Sequence, residues 1–233
     1  MIEAILFDVD NTLIDFFKLK KIACEHAIEA MIDAGLDAPS DEALSLLYNL
    51  YDMNGWEDQR IFQKLLSSIE GYVDHKKLSY GILAYRKARV GMLAPYPGTK
   101  PTLMELRRMG IKLGIVSDAP ELQGWLRLAA TGLDDLFDLI LIGSTPHKGT
   151  GKPFEKALLQ LNMPASHVIH VGDWPQRDIE GARKHGIRTC FAQYGRPDLH
   201  AEATYVIKSI RELLDIVAEE NCATCSLAQG EAF

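Results

Sequence analysis

Residues 5–15 read ILFDVDNTLID, an apolar run that breaks abruptly at Asp8 into Asp-Val-Asp-Asn-Thr. Ile5, Leu6 and Phe7 show no polar alternation, the pattern of a central strand covered on both faces in a parallel sheet. Open α/β sheets bind ligands just beyond the carboxyl ends of their strands, so Asp8 and Asp10 stand where a site belongs. Two positions apart, they point the same way from an extended backbone. Like charges so close need a bound cation or a retained proton to relieve their repulsion. The same string has the composition of a polar turn whose short side chains bond their own backbone. The buried strand before it, and the polar strand ends that recur downstream, favour a site.

Working outward, the pattern turns helical from Phe16 to about Ala34, with Gly35 as the stop. Helical spacing then continues from Ser40 to about Val90, through Leu44, Leu47, Tyr48 and Tyr51, then Ile61, Leu65, Leu66 and Ile69, then Ile82, Tyr85 and Ala88. The proline-rich LAPYPGTKPTL ends this all-helical insertion and leads into a helix over Thr99–Met109. Strands and helices alternate from there. Strands are expected over Lys112–Val116, Leu139–Ile142, Val168–Val171 and Ile187–Phe191, with an edge strand at Tyr205–Ile207. Helices are expected over Leu122–Ala130, Pro153–Leu161, Ile179–His185 and Ile210–Glu219. Regular βα alternation implies a doubly wound parallel sheet, so the fold class is α/β, a Rossmann-like core with an inserted helical cap. The boundaries place the core at 1–15 and 96–221, the cap at 16–95 and a C-terminal tail at 222–233.

Composition narrows the function classes. At 233 residues the chain fits one large domain, or a core with a smaller inserted one. It has 47% hydrophobic and 24% charged residues, and no apolar run long enough to span a bilayer. MIEAILFDVD lacks a charged n-region and meets an acid early, unlike a signal peptide. A cytoplasmic enzyme is the expectation, with no membrane partner. A formal charge of -7, without a long basic block, argues against nucleic acid as a partner. The four cysteines, Cys24, Cys190, Cys222 and Cys225, are too sparse for a disulfide scaffold. Cys222 and Cys225 form a CxxC that reads as a redox pair, as half of a shared zinc site, or as two thiols without a role. A lone pair cannot close a four-ligand zinc site, so the motif is treated as incidental.

Each long strand ends in a polar cluster: Ser117-Asp118-Ala119-Pro120, then the loop TPHKGTGKP, then Gly172-Asp173 followed by Trp174, Pro175, Gln176, Arg177 and Asp178. Alone, a serine before a helix is an N-cap and a Gly-Asp is a turn. Together they put two acid pairs, a hydroxyl and an ammonium at one edge of one sheet. That set suits phosphoryl transfer. A carboxylate attacks phosphorus, and a cation, a hydroxyl and an ammonium hold the phosphoryl oxygens. A second carboxylate protonates the leaving alcohol and later activates water. Mg2+, a hard ion preferring oxygen, is the natural bridge between Asp8, Asp173 and phosphate.

DVDNT, the serine of IVS, a lysine before the Pro-Phe helix start and GDxxxxD resemble, in order, the four signature motifs of the haloacid dehalogenase-like phosphohydrolase superfamily. The resemblance covers the chain apart from its tail, including a helical cap after the first strand. It implies Asp8 as nucleophile and Mg2+ ligand, and Asp10 as general acid/base whose backbone carbonyl also binds the metal. It implies Thr12 as a supporting hydroxyl, Ser117 as phosphate binder, Asp173 as a metal ligand and Asp178 as a ligand or an acid behind it. The third motif departs from the usual form: six positions before Phe154 lies Lys148, whereas the local Gly-Lys-Pro string selects Lys152. The spacing to the Gly-Asp turn favours Lys148, and the choice stays open between the two.

In capped relatives the insert closes over the substrate, so specificity residues are expected in the cap. Asn54, Arg60 and Lys64, together with Asp118 beside Ser117, are candidate substrate contacts, with Phe16, Phe17 and Trp56 nearby. Arg60 and Lys64, four apart, either bind a second anionic group or form a solvated face. Trp56 either packs between cap helices or meets substrate. Trp174 either walls the metal site or packs a subunit contact. His147 and His170 lie near strand ends and are expected as packed or exposed residues rather than ligands. The expected function is a Mg2+-dependent phosphatase of small phosphorylated metabolites, acting as monomer or homodimer. The opening stretch resembles archaeal members that act on glyceraldehyde 3-phosphate or phosphoglycolate. A phosphosugar mutase shares all four motifs. A 2-haloacid dehalogenase lacks an acid at the position of Asp10, and a noncatalytic binding protein on this scaffold would have lost one of the acids.

Overall fold

The computed structural model of the protein describes residues 1–143 and 146–230, the stretch 223–230 by its backbone. β1 (Ala4–Phe7) has every residue buried, as its unbroken apolar sequence requires. It pairs in parallel with β2 (Lys112–Ser117) on one side and β4 (Val168–Gly172) on the other. β3 (Leu139–Ile142) extends the sheet beyond β2, and β5 (Arg188–Ala192) and β6 (Tyr205–Ile207) extend it beyond β4. The order is β3-β2-β1-β4-β5-β6. The chain leaves β1, fills one side of the sheet, then returns to fill the other, so the switch point lies where β1 meets β4. Ligands of open α/β sheets bind at such a point.

The core is one compact unit of Met1–Asp15 with Ala94–Phe233, and Phe16–Leu93 form a second. Core helices alternate with the strands: α5 (Thr99–Arg108), α6 (Glu121–Thr131), α7 (Lys152–Leu161), the short α8 (Glu180–Arg183) and α9 (Glu212–Gly230). Phe154, Ala157 and Leu161 of α7 pack with Leu6, Val116 and Val168. The sequence boundary at Pro95 shifts slightly. Pro95 belongs with the core because it bridges to Ile14, and the neighbouring Tyr96 amide donates to the Leu13 carbonyl (2.9 Å).

The second unit is all helical: α1 (Phe16–Asp33), α2 (Ser40–Asn54), α3 (Ile61–Glu70) and α4 (His75–Met92). It buries its own core, including Ala27, Ile28 and Met31 of α1, Leu47 and Tyr51 of α2, and Leu65 and Leu66 of α3. α1 and α4 pack closely at Gly81, where a Cβ would lie 2.1 Å from the Met31 Cε.

Two expectations change. A separate tail from residue 222 does not appear among the described residues, because α9 runs on to Gly230. No proline or glycine interrupts it before that point. Asn221 ties the helix to the first strand region, accepting from the Ile2 amide (2.6 Å) and donating to the Ile2 carbonyl (3.0 Å). The helix expected over Ile179–His185 is shorter than the sequence suggests, because a π-helical turn over Pro175–Ile179 precedes α8. Cys222 is exposed, while the side chain of Cys225 lies outside the described residues. Among the described residues no helix is long and apolar enough to cross a membrane.

Candidate active site

The Asp8 amide continues the ladder by donating to the Val171 carbonyl (2.9 Å), after which the chain turns sharply. Leu13 and Ile14 amides both donate to the Val9 carbonyl, and the Asn11 amide donates to the Ile14 carbonyl. Asn11 takes φ 56°, left-handed backbone that asparagine tolerates and bulky residues do not. This tight loop is held from outside. Tyr194 donates its hydroxyl to the Thr12 carbonyl (2.6 Å), and a Cβ on Gly195 would sit 1.7 Å from the Asn11 carbonyl oxygen. Gly195→Ala must therefore push the loop, and overpacking against backbone costs about 1–3 kcal/mol. The expected result is a lower melting temperature with reduced turnover, measured by thermal denaturation and assay of one preparation. An unchanged melting temperature would show that the loop yields freely.

Three acids converge here. Asp8, Asp173 and Asp178 each present an oxygen, all within 4.8 Å of one another, and all three are buried. Asp173 follows β4, and the π-helical turn carries Asp178 back over Gly172, where a Cβ would lie 2.3 Å from the Asp178 Cγ. Only glycine leaves that space. Lys148, buried in a short 3₁₀ turn after β3, places its Nζ 2.7 Å from Asp8 Oδ1 and 2.5 Å from Asp178 Oδ1. Lys152 is exposed at the start of α7. Asp118 fixes the lysine loop by accepting from the Lys148 amide (2.8 Å). Ser117 is buried at the end of β2 and accepts from the Ala119 amide (3.2 Å).

The charges do not balance. Burial raises the Asp8 carboxyl above its ordinary value of 3.8, Lys148 draws it back down, and the Asp178 charge adds to the rise. Burial, then the charges of Asp178 and Asp8, push Asp173 well above that value. Burial presses Asp178 upward too, but Lys148 and the His170 hydrogen bond outweigh it and hold that carboxyl below the usual range. Burial alone would weaken the Lys148 ammonium. Instead Asp178, Asp8 and Asp118 keep it protonated above its ordinary 10.5. One ammonium thus serves Asp178 best, and Asp8 and Asp173 retain a demand for positive charge. A set of carboxylate oxygens at this spacing suits a hard divalent cation.

His170, expected as a packed residue, is fully buried edge-on against Phe154 at 4.6 Å. Its Nε2 also lies 2.9 Å from Asp178 Oδ1, so the imidazole steadies the acid from behind the strand. The Trp174 amide donates to Asp178 Oδ2 (3.0 Å). The indole is flanked by the guanidinium carbons of Arg177 at 5.2 Å and Arg196 at 4.9 Å. His147 is exposed. The buried arginine on α6, Arg127, went unanticipated: its Nε lies 3.0 Å from Asp10 Oδ1. Thr12 is fully buried in the same loop.

In the helical unit, Asn54, Arg60 and Lys64 line one groove of about 570 Å³ with Leu50, Gln63 and Ser67. Lys64 is engaged there, donating to the Asn54 Oδ1 and pairing with Asp58 (2.6 Å). Trp56 packs: it stacks on Tyr51 at 5.3 Å and meets Phe17 edge-on at 5.5 Å.

A profile described as haloacid dehalogenase-like hydrolase matches residues 5–192. The chain belongs to the haloacid dehalogenase-like hydrolases. It is 34% identical over 224 residues to the glyceraldehyde 3-phosphate phosphatase of Methanocaldococcus jannaschii, covering 93% of this chain and 97% of the relative. It is 33% identical over 230 residues to the phosphatase of the same name from Pyrococcus abyssi, covering 95% of this chain and 96% of that one. Among solved structures it is similar to a phosphatase of this superfamily from Thermococcus onnurineus, with a TM-score of 0.67 and 27% identity over 93% of this chain and 98% of the other. The matched residues span the helical unit as well as strands β1 to β5.

Proposed function

We propose that this hydrolase removes phosphate from small phosphorylated metabolites, with glyceraldehyde 3-phosphate as the first substrate to try. The observation that carries the reading is the buried cluster of Asp8, Asp173 and Asp178 around one ammonium at the switch point of the sheet. The substrate suggestion rests on the names borne by the archaeal relatives. In the reaction, a carboxylate oxygen of Asp8 attacks phosphorus while the ester oxygen departs with a proton from Asp10. Water, giving its proton to Asp10, then attacks the aspartyl-phosphate, releasing inorganic phosphate and free Asp8. Lys148 and Ser117 hold the phosphoryl oxygens, whose charge spreads as the bond breaks. Asp118 fixes the lysine loop, and Asp178, steadied by His170, fixes the lysine head.

Mg2+ held by Asp8, Asp173 and Asp178, with the Asp10 backbone carbonyl, would neutralise charge on the phosphoryl oxygens. Metal demand has a pH signature. A carboxyl whose folded pKa is raised contributes stability below its unfolded value, and that contribution is lost as pH rises through the folded value. Asp8 and Asp173 are such groups, so their ionisation without metal costs the fold stability above about pH 4. A cation favours the ionised form and reverses that loss. Mg2+ at a hundred times its Kd should therefore stabilise by about 2.7 kcal/mol near neutrality and by less near pH 5, where protons compete. Thermal denaturation with Mg2+ or EDTA at both pH values measures this; an increment equal at the two would contradict it.

The activity itself is tested by phosphate release from a panel of phosphorylated metabolites, with Mg2+ and with EDTA. Release of free phosphate separates a hydrolase from a mutase, which returns the phosphoryl group to a sugar. Purified protein that releases none from any ester would overturn the proposal.

A further inference from the structure

Among the described residues Arg127 is the largest side chain to be fully buried, with 1% of it exposed, while the side chain of Asp10 keeps 23%. Arginine is almost never buried unless paired, because removing a guanidinium from water costs several kcal/mol. The partner at 3.0 Å is Asp10, whose backbone lies in the loop clamped by Tyr194 and Gly195. Arg127 comes from the middle of α6, whose buried face is Gly124, Arg127 and Leu128. Gly124 lets that face close on the sheet, since a Cβ there would lie 2.5 Å from Ile142. The guanidinium is thus fixed by packing and reaches Asp10 from the protein interior, whereas the carboxylate remains partly open on its other side. Nε and Oδ1 face each other as a close ion pair outside hydrogen-bond geometry, so what biases the rotation of the carboxylate is a charge fixed by packing beside one of its oxygens rather than a directed bond.

We propose that Arg127 is a positioning residue, holding the Asp10 carboxyl group in the orientation from which its protonated form passes a proton to the departing ester oxygen and becomes the carboxylate. This rests on the reading of Asp10 as general acid, and the test separates the two. An alkyl ester such as glyceraldehyde 3-phosphate must release a strongly basic alkoxide, a poor leaving group that needs that proton. The p-nitrophenolate of p-nitrophenyl phosphate departs readily without it. The ratio of kcat/KM for the two esters reports the first, phosphoryl-accepting step, and it does not depend on how much of a preparation is folded.

Arg127→Met should lower kcat/KM for the alkyl ester on the order of a hundredfold, the low end of general-acid contributions, and lower it far less for the aryl ester. Arg127→Lys keeps a buried positive charge but loses the packed, planar guanidinium that fixes its place, guards against misfolding, and should shift the ratio in the same direction by a smaller factor. In an Asp10→Asn background, Arg127→Met should leave the ratio where Asp10→Asn has put it. Equal losses on both esters in the Arg127 variants would overturn the positioning role and leave Arg127 a structural anchor. A native ratio in Asp10→Asn alone would instead overturn the reading of Asp10.

Discussion

Asp8→Asn is expected to abolish turnover, with kcat down by at least about four orders of magnitude, as when a covalent nucleophile is removed. The substitution keeps the shape of the side chain, so the fold should survive it. Stability should even rise slightly near neutrality in metal-free protein, because burial already disfavours the Asp8 charge. Lys148 does not lose its anchor in this variant, since Asp178 holds it independently at 2.5 Å. Phosphate release from p-nitrophenyl phosphate and glyceraldehyde 3-phosphate, alongside a melting curve, gives both readouts. Turnover retained in a folded Asp8→Asn protein would remove Asp8 from the role of nucleophile.

Lys148→Ala should be the second most damaging change, for two separable reasons. It strands Asp8 and Asp178 in the interior without their ammonium, and breaking a buried charge pair costs about 3–5 kcal/mol. It also removes the cation expected beside the phosphoryl oxygens, worth on the order of a hundred- to a thousandfold in rate. Saturating Mg2+ should recover part of the stability, because the cation relieves the same carboxylates, and should recover little of the rate. Lys152→Ala, at an exposed position, should change stability by less than about 0.5 kcal/mol and leave turnover near the parent value. Denaturation and steady-state kinetics of the two variants side by side decide the matter. Equal mild losses would show that neither lysine has the role.

The sheet was legible because β1 is an uninterrupted apolar run, and only a strand covered on both faces tolerates one. The strand ends could be read for the same reason: each apolar run stops at a hydroxyl, an acid or a glycine. The lysine was harder. Two lysines share one short loop, and their separation arises only when the 3₁₀ turn buries one and α7 presents the other to solvent. Arg127 escaped notice because α6 exposes Leu122, Trp125 and Leu126, which blurs its helical periodicity. The available clue was position: Arg127 sits between Gly124 and Leu128 on the i, i+3, i+4 face that turns inward. His170 was visible as a residue, but its bond to Asp178 depends on the π-helical turn that brings the acid back over Gly172. The end of α9 was underestimated because composition there is weakly periodic, while propensity and the Asn221 tie carry the helix on.

The junction where the chain leaves and re-enters the sheet has a wider implication. Ile14 and Pro95 form a bridge, with backbones about 5 Å apart, and Tyr96 is bonded to Leu13 across the same seam. Exit and return are thus fastened together by the core alone. Everything from Phe16 to Leu93 can be regarded as a cassette: ancestral duplication, loss or transplantation of that stretch, or a deliberate chimera with a foreign helical module, requires only two neighbouring splice points and leaves the hydrolytic machinery in its original frame.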